Sequence, residues 1–262
     1  MKHWSRFHFL LGLIGSLYVL LIIALLAADL LHTSPGRIWE ALTSREIRGS
    51  IRLSLLSSGI STIFAMWIAV PLGYFLARVP FRGRALVETI VDIPIVLPPL
   101  IVGLSLLILF QSSLGRAFQQ VAPVTYRIPA VILAQFAVVT AFAVRTMRDT
   151  FSQITPRAEH VAMTLGCTPS QAFWHVALPE AKRGLIAAAT LSWARAIGEF
   201  GPVLVFAGIT RMRTEVMPST VFLELSQNRM DAALAVSLLM VAIAAIVLLV
   251  ARRIGATTGV YR

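Results

Sequence analysis

The sequence predicts an all-α membrane protein with six transmembrane helices. Three observations lead there. Apolar residues (AVILMFWYC) fill 57% of the 262 positions and charged residues only 13%, against about 45–50% and about 25% in soluble domains. Mean hydropathy is +0.81. The apolar residues also gather into runs near the roughly 20 residues that a helix needs to cross the hydrocarbon. So little charge cannot cover a water-facing surface, which excludes a soluble globular domain. So apolar a chain is not a disordered one either.

The first span is expected at residues 9–31. Its uncharged core, 9–28, is longer than the roughly 7–15 residues of a signal-peptide core, and no Ala-x-Ala site closes it. It is therefore read as a retained span. The next spans are expected at 53–77, 91–114, 128–144, 184–208 and 232–251. The fourth is short, and the fifth carries Arg195 and Glu199. No internal repeat, low-complexity tract or linker interrupts the chain, so 1–262 reads as one transmembrane domain.

Lys and Arg fix the orientation. With the N-terminus inside, the inner segments hold Lys2 and Arg6; Arg78, Arg82 and Arg84; Arg145, Arg148, Arg157, Lys182 and Arg183; and Arg252, Arg253 and Arg262. The outer segments hold Arg37, Arg45, Arg48 and Arg52; Arg116 and Arg127; and Arg211, Arg213 and Arg229. Thirteen cations against nine place both termini in the cytoplasm. The net charge of +11 then serves anionic lipid at short loops. Nucleic-acid binding would want a contiguous basic face, and none is visible. One cysteine, Cys167, excludes an internal disulfide and a Cys/His zinc site by count. The five histidines have no metal-ligand spacing, so neither metal nor cofactor is expected.

The longest connection, residues 145–183, falls on the cytoplasmic side, and long ordered loops are usually functional. Thr155-Pro156 reads as a helix start. Ala158, Val161, Ala162 and Leu165 follow at i, i+3, i+4 and i+7, one apolar face. Gly166 supplies a stop. Thr168, Pro169 and Gln171 form a second start with a capping box, Ala172, Phe173 and Val176 continue an apolar face, and Pro179 is expected to end it. Two short amphipathic helices therefore meet at Gly166. Their apolar faces fit either the chain's own bundle or a groove on a soluble partner.

These residues resemble a known family. Glu159-His-Val-Ala-Met-Thr-Leu-Gly166, nine residues, then Val176-Ala-Leu-Pro179 is similar to the signature loop of type I ABC importer permeases. That signature runs Glu-Ala-Ala, three residues, Gly, nine residues, Ile, one residue, Leu-Pro. Gly166, Val176, Leu178 and Pro179 fall on its spacing. Its glutamate falls on His160 and its first alanine on Val161, so Glu159 and His160 are both candidates for the glutamate's contact. The resemblance implies that the loop inserts into a cleft on a separate ATPase and passes motion to the spans, with 158–166 as the coupling helix. Glu159, His160, Ala162, Leu165, Gly166, Leu178 and Pro179 would be its working residues. The sequence agrees on a separate engine. A Walker A loop needs Gly-Lys before Ser or Thr, and the only lysines, Lys2 and Lys182, follow Met1 and Ala181.

Inside the membrane, Arg195 and Glu199 sit one helical turn apart. Ionised groups there cost about 2.5–3.5 kcal/mol each on insertion scales, and an i, i+4 pair lowers that cost. The pair either satisfies itself within the bundle or lines the path, where a cation attracts an anion and a nearby carboxylate keeps it from sticking. Pro94, Pro98 and Pro99 likewise read as a simple kink or as a break that lines a polar path. Arg195-Ala-Ile-Gly-Glu-Phe-Gly201 and Pro94-Ile-Val-Leu-Pro-Pro99 look like the molybdate, tungstate and sulfate branch of these permeases. So do Met217-Pro218 with Thr220-Val-Phe, and Asp231-Ala-Ala-Leu-Ala235. The resemblance covers roughly residues 51–253.

It implies a cell-membrane, multi-pass, non-enzymatic subunit of an ATP-driven oxyanion importer, with molybdate or tungstate the favoured cargo. Its partners would be two ATP-binding subunits, a second copy of the chain and an extracytoplasmic substrate-binding protein. Sulfate, ferric iron or a polyamine are the alternatives within the family. An ATP-independent secondary transporter would want an inverted repeat with broken helices, which is not visible. A membrane enzyme would want clustered catalytic groups, and Arg195 with Glu199 is too little.

Overall fold

The computed structural model describes residues 6–32 and 34–257. Among them every regular element is a helix. Helix α1 (Arg6–Leu31) and a short α2 (Pro35–Thr43) lead into α3 (Arg45–Arg78). Then come α4 (Arg84–Val96), α5 (Pro99–Gln111), α6 (Ser113–Val121) and α7 (Ile128–Gln153). The long connection carries α8 (Arg157–Thr164), α9 (Pro169–Ala172), a π-helical turn (Phe173–Ala177) and α10 (Leu178–Glu180). Helices α11 (Lys182–Ile197), α12 (Gly201–Phe206), α13 (Met217–Ser226) and α14 (Met230–Thr257) complete the chain.

Helices α3 and α7 form the centre. Small residues bring them together. A methyl group on Gly73 would lie 2.7 Å from Met147 Cβ, so only glycine fits that crossing. Ser61 Oγ donates to the Ile132 carbonyl at 2.9 Å. Residue 61 thus lies beside 132 and residue 73 beside 147, so the two helices run in the same direction. The chain between them has to return, and α4 with α5 makes that return. Segment 182–206 runs the other way along α7. Gly184 packs on Thr150, the Arg195 guanidinium lies over the Phe142 ring, and the Phe206 carbonyl accepts from Tyr126 N–H two residues ahead of α7. The central core joins Ala65, Ala69, Leu76, Val139, Ala143, Met147 and Phe151 to Ala177, Ala181 and Ala188.

Helices α1, α3, α7 and α14 are each long and apolar enough to cross a membrane, and α4 with α5 is a bent pair that qualifies together. Helix α1 leaves Phe9, Ile14, Leu17 and Tyr18 more than half exposed, a surface suited to lipid.

Several expected elements differ. The third span, 91–114, is not one helix: α4 and α5 meet at 110°. Pro99 has no N–H to continue the ladder, and Pro98 pushes Leu97 into an extended conformation (φ −64°, ψ 137°). The fourth helix outlasts its expected end at 144 and carries Arg145 and Arg148 to Gln153. The fifth span, 184–208, breaks between Ile197 and Gly201. Thr155 does not cap the loop's first helix; Pro156 takes the cap position and Arg157 begins the helix. Pro179 does not end the second. The chain stays helical to Glu180, because the π turn sends Leu178 N–H to the Phe173 carbonyl, a five-residue reach that re-registers the ladder just ahead of the proline. The expected cytoplasmic termini include 1–5 and 258–262, which lie outside the described residues.

Candidate functional site

Two groups of expected residues occupy different depths of the bundle. At the end where α3 and α7 finish, α8 and α9 form a helical elbow. Gly166 turns it at φ +98°, with open space beside its Cα. Thr168 and Gln171 close the expected capping box: Gln171 N–H donates to Thr168 Oγ1 and Thr168 N–H to Gln171 Oε1.

The elbow's apolar face looks outward. Leu165 is 81% exposed and Val161 50%; Trp174, on the following turn, is 60% exposed. Ala158 is exposed and Ala162 half-buried. His160 points outward too, whereas Glu159 is 4% exposed. The two residues therefore have different environments. His160 is free to meet a partner, and Glu159 is engaged within the chain. Leu178 is half-buried and Pro179 exposed.

Glu159 is held by residues that the sequence reading did not single out. Its Oε2 accepts from the Tyr74 hydroxyl at 2.6 Å. Its Oε1 accepts from Arg78 Nε at 2.9 Å and Nη2 at 2.8 Å. Arg78 also donates to the carbonyls of Phe151 and Ile154, at 2.7 and 3.0 Å. Tyr74 and Arg78 are one helical turn apart at the end of α3. An aromatic hydroxyl four residues before an arginine, at the apolar margin of a span, is the signal that marked them. In the sequence Arg78 stands only as one more loop cation.

The second group lies further along α11. Arg195 Nη1 is 2.9 Å from Glu199 Oε1, with the arginine side chain 37% exposed and the glutamate 2%. Glu199 sits in the break between α11 and α12, where its N–H turns back to the Ala196 carbonyl. Two residues later, Gly201 and Pro202 press on the start of α5. A methyl on Gly201 would lie 3.0 Å from Leu100 N, and one on Gly103 would lie 2.6 Å from Pro202 Cα. The structure thus brings the break at Pro98 and Pro99 against the break beside Glu199. Pro94 and Pro99 are half-buried and Pro98 exposed. Two interrupted helices meeting beside an ion pair whose glutamate is buried form a polar seam within an apolar bundle, which is where irregular backbone is tolerated.

Residues 69–257 match the family of binding-protein-dependent transport system inner membrane components. The chain belongs to this family. It is a permease subunit of a membrane transport system. Curated relatives agree over most of its length. It is 32% identical to the sulfate transport system permease protein CysT of Escherichia coli (strain K12), covering 84% of this chain and 81% of that protein. It is 33% identical to a probable molybdenum ABC transporter permease protein of Haloferax volcanii, covering 96% and 91%. It is also 33% identical to the molybdenum transport system permease protein ModB of Mycobacterium tuberculosis, covering 81% of each. Among solved structures, a bacterial ABC transporter that imports the acidic polysaccharide alginate shares the fold at TM-score 0.73 and 18% identity, over 97% of this chain and 96% of that one. The inward-facing MetNI methionine ABC transporter does so at TM-score 0.65 and 20% identity, over 86% and 99%.

Proposed function

We propose that this permease carries a tetrahedral oxyanion of the molybdate and tungstate kind through an ATP-driven importer. The observation that carries the reading is that relatives named for molybdenum and for sulfate transport match more than four-fifths of the chain at 32–33% identity. Sulfate is the second reading, favoured by the likeness to the sulfate permease. The chain works as one transmembrane domain of six membrane segments with both termini inside, the third and fifth segments being the broken ones.

Two copies enclose the path, two ATPase subunits drive it and an extracytoplasmic binding protein delivers the anion. The outward apolar face of Val161, Leu165 and Trp174 enters a cleft on the ATPase, with Ala162 and Gly166 setting the elbow and His160 at its rim. Leu178 and Pro179 carry the turn back to α11. A groove partner suits this face because burying a leucine-sized side chain is worth about 1.5–3 kcal/mol. On the path, Arg195 offers a half-exposed guanidinium to the anion. Glu199, close on its other side, limits how tightly the anion is held. Pro94, Pro98 and Pro99 keep the neighbouring helix interrupted, so the two breaks can move against each other.

The test is affinity purification from the native membrane, followed by uptake in liposomes. Expected are an ATPase at one copy per copy of this chain and ATP-dependent uptake of radiolabelled molybdate that tungstate competes away. Uptake displaced by sulfate but not by tungstate would move the assignment to sulfate. A chain that purifies alone and moves solute without ATP would overturn the importer reading.

A further inference from the structure

We infer that Arg78 is a positioning residue for energy coupling. Its guanidinium ties α8 to the ends of α3 and α7, so that a displacement of α8 moves both helices with it. The inference rests on the reading of α8 as the element that meets the ATPase.

The geometry is specific. Phe151 and Ile154 sit where α7 ends, where carbonyls run short of partners within the helix, although that of Phe151 already accepts the Ile154 N–H at 3.3 Å. Arg78 supplies donors to both, at 2.7 and 3.0 Å. The same guanidinium holds Glu159 through two nitrogens. Glu159 lies in the first turn of α8, where a carboxylate is favoured by the helix dipole. One planar fork thus ties its own helix, α3, to two others, α7 and α8, and such a fork loses little freedom per bond formed. Tyr74 adds a second tie from α3, donating to Glu159 Oε2 at 2.6 Å. Its ring also meets the Phe151 ring edge-on at 5.2 Å between centroids, and the Phe173 ring at 4.7 Å.

Apolar packing does not make this connection by itself. A recess of about 330 Å³, bordered by Ala77, Pro156, His160, Met163 and Pro169, opens beside the cluster between α3 and α8. The outer face of α8 is bare of contacts within the chain, as the exposure of Val161 and Leu165 shows. A push on α8 reaches α3 and α7 directly through the polar cluster, and indirectly through the π turn, where Phe173 packs on Tyr74 and Ala177 joins the core. A buried ion pair that only stabilised the fold would give the same static picture, and the experiment separates the two roles.

The complete importer is reconstituted in liposomes with its ATPase and binding protein, and radiolabelled molybdate taken up per ATP hydrolysed is recorded. Arg78→Met combined with Glu159→Met removes both charges together, so that no lone ion is left buried and assembly is retained. The expected result is continued ATP hydrolysis with uptake per ATP reduced about tenfold, within the range of ordinary site-to-site coupling. Tyr74→Phe, which loses one hydroxyl, is expected to lower the same ratio about twofold to fivefold. The charge exchange Arg78→Glu with Glu159→Arg is expected to recover part of it. A double methionine variant that keeps the wild-type ratio overturns the inference; should that variant not assemble, a wild-type ratio for Tyr74→Phe does so. Leu165→Asp, on the outer face, keeps the two readings apart. Loss of uptake there with normal ratios at Arg78 and Tyr74 removes only the inference. Normal uptake in Leu165→Asp removes the docking reading itself.

Discussion

Two of the chain's arginine–glutamate pairs, Arg78–Glu159 and Arg195–Glu199, are built differently. At the end of α3, the side chain of Arg78 is 12% exposed and that of Glu159 5%. The arginine donates to both a carboxylate and two carbonyls, and the tyrosine takes the other carboxylate oxygen. At the break of α11, Arg195 is 37% exposed and makes a single close approach to Glu199, with the rest of its planar fork lying over Phe142. The first pair uses four of the guanidinium's five N–H donors and both carboxylate oxygens. The second keeps donors in reserve. A satisfied buried pair fixes geometry, whereas an incompletely used cation can still take a ligand.

The sharpest way to break that contrast is to delete each carboxylate. Glu159→Ala leaves Arg78 buried without its counter-ion, which costs about 3–5 kcal/mol. Glu199→Ala removes a buried carboxylate and leaves the more exposed Arg195, so its cost is expected to be smaller than that of Glu159→Ala. Unfolding midpoints of the two purified variants in the same detergent check this. Equal losses would mean that the second pair is as structural as the first.

Uptake sharpens the comparison from the other side. Arg195→Ala is expected to lower molybdate uptake about tenfold, equivalent to about 1.4 kcal/mol, while binding of the ATPase subunits is unchanged. Adding Glu199→Ala is expected to leave uptake low without unfolding the protein. If both variants transport normally, the pair only satisfies itself and the path lies elsewhere.

The backbone around the pairs differs in the same sense. Gly73 sits at the tight α3–α7 crossing, where a methyl would meet Met147 Cβ at 2.7 Å. Gly198 sits at the break, where the nearest atom would be 3.7 Å away. Gly73→Ala is expected to cost about 1–3 kcal/mol through overpacking, and Gly198→Ala to stay within about 0.5 kcal/mol. Thermal midpoints read both.

The same contrast explains what the sequence could and could not tell. The apolar runs, the break at Gly166 and the Thr168 capping box were legible because each depends on neighbours within a few residues. So was the Arg195–Glu199 pair, at i, i+4. The Arg78–Glu159 contact was not, because 81 residues separate the partners and only packing joins them. Leu165 looked like a core residue or a docking residue with equal right, since an apolar stripe does not say what covers it. The prolines announced interruptions, but not that the third segment would bend by 110° while the ladder passed Pro179 through a π turn.

A smaller effect is expected at the opposite end of the bundle, in the connection between α12 and α13. Burial pushes the Glu215 carboxyl above the usual carboxylate range, against the pull of the nearby Arg211, and among the described residues neither of its oxygens finds a hydrogen-bond donor. Arg211 approaches it only to 3.8 Å, because its shorter contact, 2.7 Å, goes to Glu224. A carboxyl that binds its proton more tightly in the folded state than in the unfolded chain makes stability fall as pH rises. The contribution is complete below the ordinary glutamate range and is lost as pH climbs through the raised value. Glu215→Gln, which keeps the shape and never ionises, should flatten that slope and raise the unfolding midpoint at neutral pH more than at pH 4–5. Glu224→Gln serves as the contrast, because Glu224 holds charge-assisted contacts from both Arg211 and Arg229. Its loss should lower the midpoint at neutral pH. If the two variants shift in the same direction, Glu215 is held as an ordinary ion pair, and this end of the bundle resembles the Arg78 cluster rather than the Arg195 pair.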